Sequence, residues 1–270
     1  MVTCETDRVQ PKPGGLGPEY AAQFDDESVV AAYDARPPYP DSLLPLITEA
    51  AGVPRPRILD LGCGTGELAR RLAPHAGTVV AVDRSPRMIA AAKRLPGGDT
   101  PALAWVVGDV ETAPFSGPFD LALAAESFHW FDWARACARI AAAVRTRRLL
   151  IVEGRYEVDA PWSDALAALI AADSTNREFE PYDLVEALVS RGLLVIETRR
   201  RLGPERFTQS VDAYVRSIHS RNGFSLDRMP PASARAFDAG VRDLVAPHAR
   251  PTLELSIETR VTWGFVTDSD

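Results

Sequence analysis

The sequence predicts a doubly wound α/β domain built on a mostly parallel sheet, and three observations carry that expectation. Apolar segments at 58–61, 78–83, 103–109, 119–126 and 148–154 are separated by helical patterns of ten or more residues, the signature of strands buried on both faces. The first of them, Ile58-Leu59-Asp60-Leu61, runs into glycines spaced two apart, Gly62, Gly64 and Gly66, and then into a helix carried by Leu68, Ala69 and Leu72. At 270 residues with 46% hydrophobic and 25% charged residues, the chain is long enough and apolar enough for a substantial core.

The elements follow in order. Residues 1–24 hold Pro11, Pro13, Gly14, Gly15, Gly17 and Pro18 among polar neighbours, which predicts a flexible tail, with a single domain over 25–270. A helical run at 26–35 stops at Pro37-Pro38. A second helix restarts with Asp41 or Ser42 as its N-cap before Leu43, Leu44, Leu46 and Ile47. After the glycine turn the pattern places strand 78–83, helix 85–95, strand 103–109, strand 119–126, helix 134–145 and strand 148–154, a core of residues 25–155. The remainder, 156–270, reads as helices at 161–173 and 182–191, a strand near 193–201, helices at 210–220 and 231–246, and an alternating final strand at 252–265. Right-handed crossovers put a ligand beyond the carboxyl ends of the strands, beside strand one.

Bulk composition narrows the partners. The formal charge is −7, which repels phosphate backbones, and no basic stretch interleaved with aromatics is present, so nucleic acid is not expected. Cys4, Cys63 and Cys137 show no paired spacing, and no His/Asp/Glu cluster has metal-ligand spacing, so neither a disulfide framework nor a metal is expected. Without an apolar leader or an apolar run near 18 residues, the expectation is a cytoplasmic protein away from membranes, monomeric or homodimeric.

The glycine spacing selects the ligand. A dinucleotide-binding turn needs its third glycine at position 67, which is Glu67; the chain instead carries the acidic-x-G-x-G-x-G form led by Asp60. Here the sequence resembles the class I S-adenosylmethionine-dependent methyltransferases. The segment Y-x-x-R-P-x-Y-P, with Tyr33, Arg36 and Tyr39, is similar to the small-molecule branch that includes trans-aconitate methyltransferase. The resemblance implies a Rossmann-like, seven-stranded sheet with an antiparallel last strand, a helical cap over the acceptor, and S-adenosylmethionine as cofactor. It also implies methyl transfer to an O, N or carboxylate group of a small molecule. Internal cyclisation of the cofactor and a non-catalytic sensor remain alternative readings.

Site residues follow from what each part of that cofactor requires. Asp60 and the Gly62 turn suit the ammonium, and Asp83, about twenty residues past the turn, suits the ribose diol. The resemblance adds Asp109 and Val110 for the adenine, with Met88 against its ring and Arg84 and Ala125 in the same pocket. Arg36, one turn beyond Tyr33, is a candidate for the methionine carboxylate. At the tip of strand four, Glu126, His129 and Trp130 occupy the methyl-transfer position. His129 either accepts the acceptor's proton or positions and packs, because in-line displacement from a sulfonium does not oblige a base. For the acceptor, Tyr39, Tyr156, Tyr214, His219 and Arg221 are candidates, Arg221 for an acidic one.

Overall fold

The computed structural model describes residues 12–267. Seven strands form one sheet in the order β3-β2-β1-β4-β5-β7-β6: β1 (Arg57–Leu61), β2 (Thr78–Asp83), β3 (Leu103–Val107), β4 (Leu121–Ala125), β5 (Arg148–Val158), β6 (Leu194–Gln209) and β7 (Leu253–Val266). The first five are parallel, and β7 runs antiparallel between β5 and β6, as the resemblance implied. The order reverses between β1 and β4, so the turns after Leu61 and Ala125 flank one crevice.

Both faces of the sheet are covered. On one face Ile58, Leu121, Leu123, Leu150 and Val152 pack under α3 (Leu43–Ala51) and α4 (Glu67–Leu72). On the other, Leu59, Leu61, Ala122, Ala124 and Ile151 meet α6 (Trp133–Ala143) and α8 (Leu184–Ser190). Helix α5 (Pro86–Arg94) starts at Ser85, whose hydroxyl caps the Met88 amide at 3.1 Å, and Asp132 caps α6 in the same way. Ser42 does sit at the N-cap position of α3, but its hydroxyl makes no cap bond and reaches Glu205 instead.

Three features differ from the sequence reading. Strands β5 and β6 outrun their expected ends at 154 and 201. With β7 they form an arm above the sheet, because the cap gives those extra residues an apolar partner: Leu253, Leu255 and Ile257 of β7 join Trp162, Tyr214, Phe224, Phe237 and Val241. That cap comprises α7 (Ser163–Asp173), α9 (Val211–Ile218) and α10 (Pro231–Val245). Within β7 the alternation of buried and open residues holds from Leu253 to Arg260 and gives way to continuous burial at Val261–Gly264, where helices cover both faces. Finally, residues 12–24, expected to be an unpacked tail, are packed: α1 (Pro18–Ala21), a 3-10 turn at Ala22–Asp25 and α2 (Glu27–Ala32) bury Leu16, Ala21, Gln23, Val29 and Ala32. Their polar groups bond to the cap and the core, which compensates for their small apolar area. The part of the expected tail at 1–11 lies outside the described residues. Among the described residues, no helix is long and apolar enough to cross a membrane, and no cluster could hold a metal ion.

Candidate functional site

Two cavities meet at the crevice and share Tyr33 and Gly62. The larger, of about 860 Å³, lies under the cap-bearing arm and is walled by Arg36, Tyr39, Asp60, Ala125, Arg155 and Thr259. The smaller, of about 80 Å³, is walled by Asp83, Arg84, Met88, Asp109 and Val110, with Phe24, Trp130 and Phe131 pressed over it. Thus Asp60, Gly62, Gly64, Asp83, Arg84, Met88, Asp109, Val110 and Ala125 all face these cavities.

Asp60 is the least compensated group in the crevice. Its residue is 2% exposed and no donor or cation among the described residues contacts its carboxylate. Burial, with the charge of Asp83 added, pushes its carboxyl up to about 7. Asp83 is different: one oxygen accepts the Gly64 amide at 2.7 Å and the other the Ser85 amide at 2.8 Å, so it fixes the turn while still facing the small cavity. Burial raises its carboxyl too, and those two amides offset part of the rise.

The glycines divide their work. Gly64 has φ 55°, and a Cβ there would come within 3.1 Å of the Tyr33 ring, so main chain and ring can lie close on the cavity wall. Gly66, expected to bind cofactor, lines neither cavity. A Cβ on it would stand 2.2 Å from the Trp105 ring, so its role is to let α4 start against Trp105.

At the tip of β4, Glu126 is an ion-pair hub and not a free acid or base. Arg155 donates to it from its backbone amide at 2.9 Å, from Nε at 3.0 Å and from Nη2 at 2.9 Å, and Arg36 Nη1 stands at 3.3 Å. Chiefly these guanidiniums overcome the cost of burial and hold its carboxyl down at about 2. Arg155 also donates to the Pro37 carbonyl and stacks over Tyr39 at 4.1 Å, which ties the 36–41 segment to the core. Arg36, expected to receive the methionine carboxylate, is largely committed elsewhere. Its Nε donates to the Ser220 hydroxyl at 2.7 Å, its Nη2 to the Ser220 carbonyl at 2.5 Å, and its plane stacks on Tyr33 at 4.3 Å.

His129 lines neither cavity; its ring packs 4.7 Å from Trp130, which itself meets Phe24 at 5.4 Å. Burial lowers its pKa to about 4, with Lys12 and Arg36 adding to the fall against Glu126, so the ring is neutral near pH 7. Its observed contact is with Trp130 and not with either cavity.

The acceptor candidates separate. Tyr39 lines the large cavity. Tyr156 points to the opposite face, 38% exposed beneath Arg260, because a bulge between Val152 and Gly154 sends Arg155 and Glu157 inward and Tyr156 outward. His219, 3% exposed, is held by the Phe224 carbonyl and Asp238 inside the cap. Tyr214 is buried, with its hydroxyl donating to Glu157 at 2.7 Å and accepting from Trp162 at 3.0 Å. Arg221 remains: an exposed residue whose guanidinium has no hydrogen bond or ion pair among the described residues. Its guanidinium is lowered below its ordinary value by the protein around it and by Arg36, against Tyr214, Glu157 and Glu126. Its charge is felt by Arg36 and Glu126 of the core and by Glu157 and Tyr214 on the cap side, and it lines neither cavity. Sequence reading missed Arg155, Thr259 and Phe24. Arg155 follows Gly154 in an alternating stretch, a signal for a strand continuing past its expected end.

Comparison with known proteins agrees with this geometry. Residues 58–147 match the methyltransferase domain family. An uncharacterized methyltransferase of Mycobacterium tuberculosis is 34% identical over 149 residues, 54% of this chain; the chain covers 58% of that relative's length. Among solved structures, an Anaeromyxobacter dehalogenans protein assigned provisionally as a type II methyltransferase is 21% identical with a TM-score of 0.58, covering 85% of this chain and 97% of its own. A Haemonchus contortus phosphoethanolamine N-methyltransferase, in complex with phosphomonomethylethanolamine and S-adenosylhomocysteine, is 17% identical with a TM-score of 0.52, covering 91% and 59%. At those identities the likeness is one of fold. S-adenosylmethionine fits the residues present, since its ammonium is the cation that the buried Asp60 carboxylate lacks and Asp83, Asp109 and Val110 line the adjoining cavity. The matched segment holds Asp60, the glycine turn, Asp83, Asp109 and the tip of β4, while Tyr33, Arg36, Tyr39 and Arg155 complete the crevice from outside it, and over that segment the chain carries a methyltransferase domain of the class I, S-adenosylmethionine-dependent kind.

Proposed function

We propose that the protein transfers the methyl group of S-adenosylmethionine to an O, N or carboxylate group of a small acidic molecule. The unpartnered Asp60 carboxylate at the end of β1 carries the donor side of this reading, because a buried acid without a donor is costly unless a cation joins it. A cavity of about 860 Å³ under a helical cap suits a small acceptor, and Arg221, whose guanidinium has no side-chain partner among the described residues, suits an anionic one.

Bound S-adenosylmethionine supplies a methyl group already activated as a sulfonium. The chain's own contribution is then alignment and exclusion of water. Asp60 anchors the ammonium. Phe24, Trp130 and Phe131 close over the narrow end, and the Glu126–Arg155 pair fixes the wall of the acceptor side. The acceptor's proton leaves without help from Glu126, which stays ionised and bound to two guanidiniums.

Mass spectrometry of the protein with S-adenosylmethionine and a pool of small acids, amines and phenols, beside a control without acceptor, tests the reading. An acidic species heavier by one methylene, with S-adenosylhomocysteine released, is expected. Methylthioadenosine formed in the control would replace it with a cyclisation reading, and binding without turnover of any pool member would replace it with a sensor.

A further inference from the structure

Residues 15–36 form a strap with two different sides. Toward the core it roofs the narrow cavity: Ala21, Phe24 and Tyr33 line it, and Asp25 accepts the Ser85 hydroxyl at 2.7 Å and pairs with Arg87 at 2.8 Å. Toward the cap it is fastened along the loop that follows α9. Asn222 Nδ2 donates to the Tyr20 carbonyl at 2.7 Å, and the Gly223 amide donates to Gln23 Oε1 at 3.0 Å. The Ser225 hydroxyl donates to Asp26 at 2.6 Å, where Arg228 also donates at 2.6 and 3.1 Å. Asp227 accepts the Ser28 amide at 3.0 Å, and Ser220 holds Arg36. Asn176, from the loop after α7, adds a bond to the Gly15 carbonyl at 2.9 Å and one to Asn222 at 2.7 Å.

We propose that loop 220–228 is a latch that holds the strap over the donor pocket, so that donor affinity is set in part by Asn222 and Ser225, residues that touch neither cavity. The strap's helices have four and six residues, too short to persist on local hydrogen bonds. Its position over the pocket therefore depends on what it is fastened to, and most of its polar fasteners lie on the cap. A donor that binds only under a seated strap is weakened by whatever fraction of the time the strap is unseated. Asn222 and Ser225 are positioning residues, acting through Tyr20 and Asp26.

The inference rests on donor binding at the glycine turn, and the experiment separates the two. Full-length wild type, Asn222→Ala and Ser225→Ala are titrated with S-adenosylhomocysteine by calorimetry, without acceptor, and their unliganded thermal unfolding is recorded. Wild type binding, with each variant about fivefold weaker and unliganded unfolding little changed, is the expected result; a net hydrogen bond of about 1 kcal/mol sets that scale. Limited proteolysis adds a readout that general destabilisation does not give: ligand protection should fall within 12–36 in the variants and persist in β1–β5. Equal affinity in wild type and variants, or unchanged protection of 12–36, overturns the latch. Absence of binding by wild type overturns the donor reading instead.

Discussion

Arg155, on the outer part of β5, donates three hydrogen bonds to the Glu126 carboxylate just past β4, at 2.9, 3.0 and 2.9 Å, and this pair joins the tip of β4 to the segment that carries Tyr39. Arg155→Ala leaves a carboxylate with 20% side-chain exposure and only Arg36 beside it. Loss of one partner of such a pair costs about 3–5 kcal/mol, read by urea unfolding at pH 7. The pH dependence has a defined sign. Glu126 is held near 2, below its ordinary range, so its stabilisation is present above about pH 4.5 and is lost as pH falls toward 2. Glu126→Gln should flatten that acid limb.

Asp60 gives the opposite slope in a different window. Its folded carboxyl sits near 7, above an ordinary value of about 4, so its own contribution to unliganded stability is greatest below about pH 4 and is lost as pH rises from about 4 to about 7. Asp60→Asn should remove this slope, worth at most about 4 kcal/mol, and raise the unliganded melting temperature at pH 8. The same variant should bind S-adenosylhomocysteine about 10–100-fold more weakly by calorimetry, the scale of a hydrogen bond to a charged group. Wild-type affinity should strengthen between pH 6 and 8 as the carboxylate is freed for the ammonium.

His129, its pKa lowered to about 4, is neutral near pH 7 and packs at a tilt of 58° against Trp130. His129→Ala should lower kcat by a factor that stays constant between pH 6 and 9. A wild-type acidic limb that disappears in the variant would instead make this ring the proton acceptor.

Arg221→Gln should raise KM for an anionic acceptor about 10–100-fold, the range for a lost charged hydrogen bond, while leaving calorimetric affinity for S-adenosylhomocysteine within twofold. Neutral acceptors of similar size should be unaffected.

Gly66→Ala places a Cβ 2.2 Å from Trp105 at a residue with φ 69°. Thermal unfolding should show a loss of about 2 kcal/mol or more. Folded protein at low temperature should keep wild-type affinity for S-adenosylhomocysteine, because Gly66 meets no cavity.

The donor half of the crevice was legible because its chemistry is local. Asp60, Gly62, Gly64, Asp83, Asp109 and Val110 all lie within three residues of a strand's end, so glycine spacing and strand pattern pointed to the first four and the family resemblance to Asp109 and Val110. The acceptor half was less legible because it depends on where strands stop. Taking β5 to end at Gly154 hid Arg155 and put Tyr156 in the site, whereas a single bulged residue reverses which of the two faces inward. The strap was missed for another reason. Its Pro and Gly content argues against self-sufficient structure, and its order comes from polar groups on the cap about 200 residues away in sequence, a partnership that no local window contains.

The long β6–β7 arm makes the molecule separable in a practical sense. Strands β1–β5 carry the donor crevice, while the outer parts of β6 and β7 and the helices between them carry most of the roof above it. An exchange of residues 202–259 with the corresponding arm of another such enzyme would cut two neighbouring strands at paired positions, Leu202 and Thr259, and leave the sheet register below untouched. Such an exchange would have to bring α7 and the strap with it, because α7 packs in the same cluster as α9 and α10 and the strap is fastened to the loop between them.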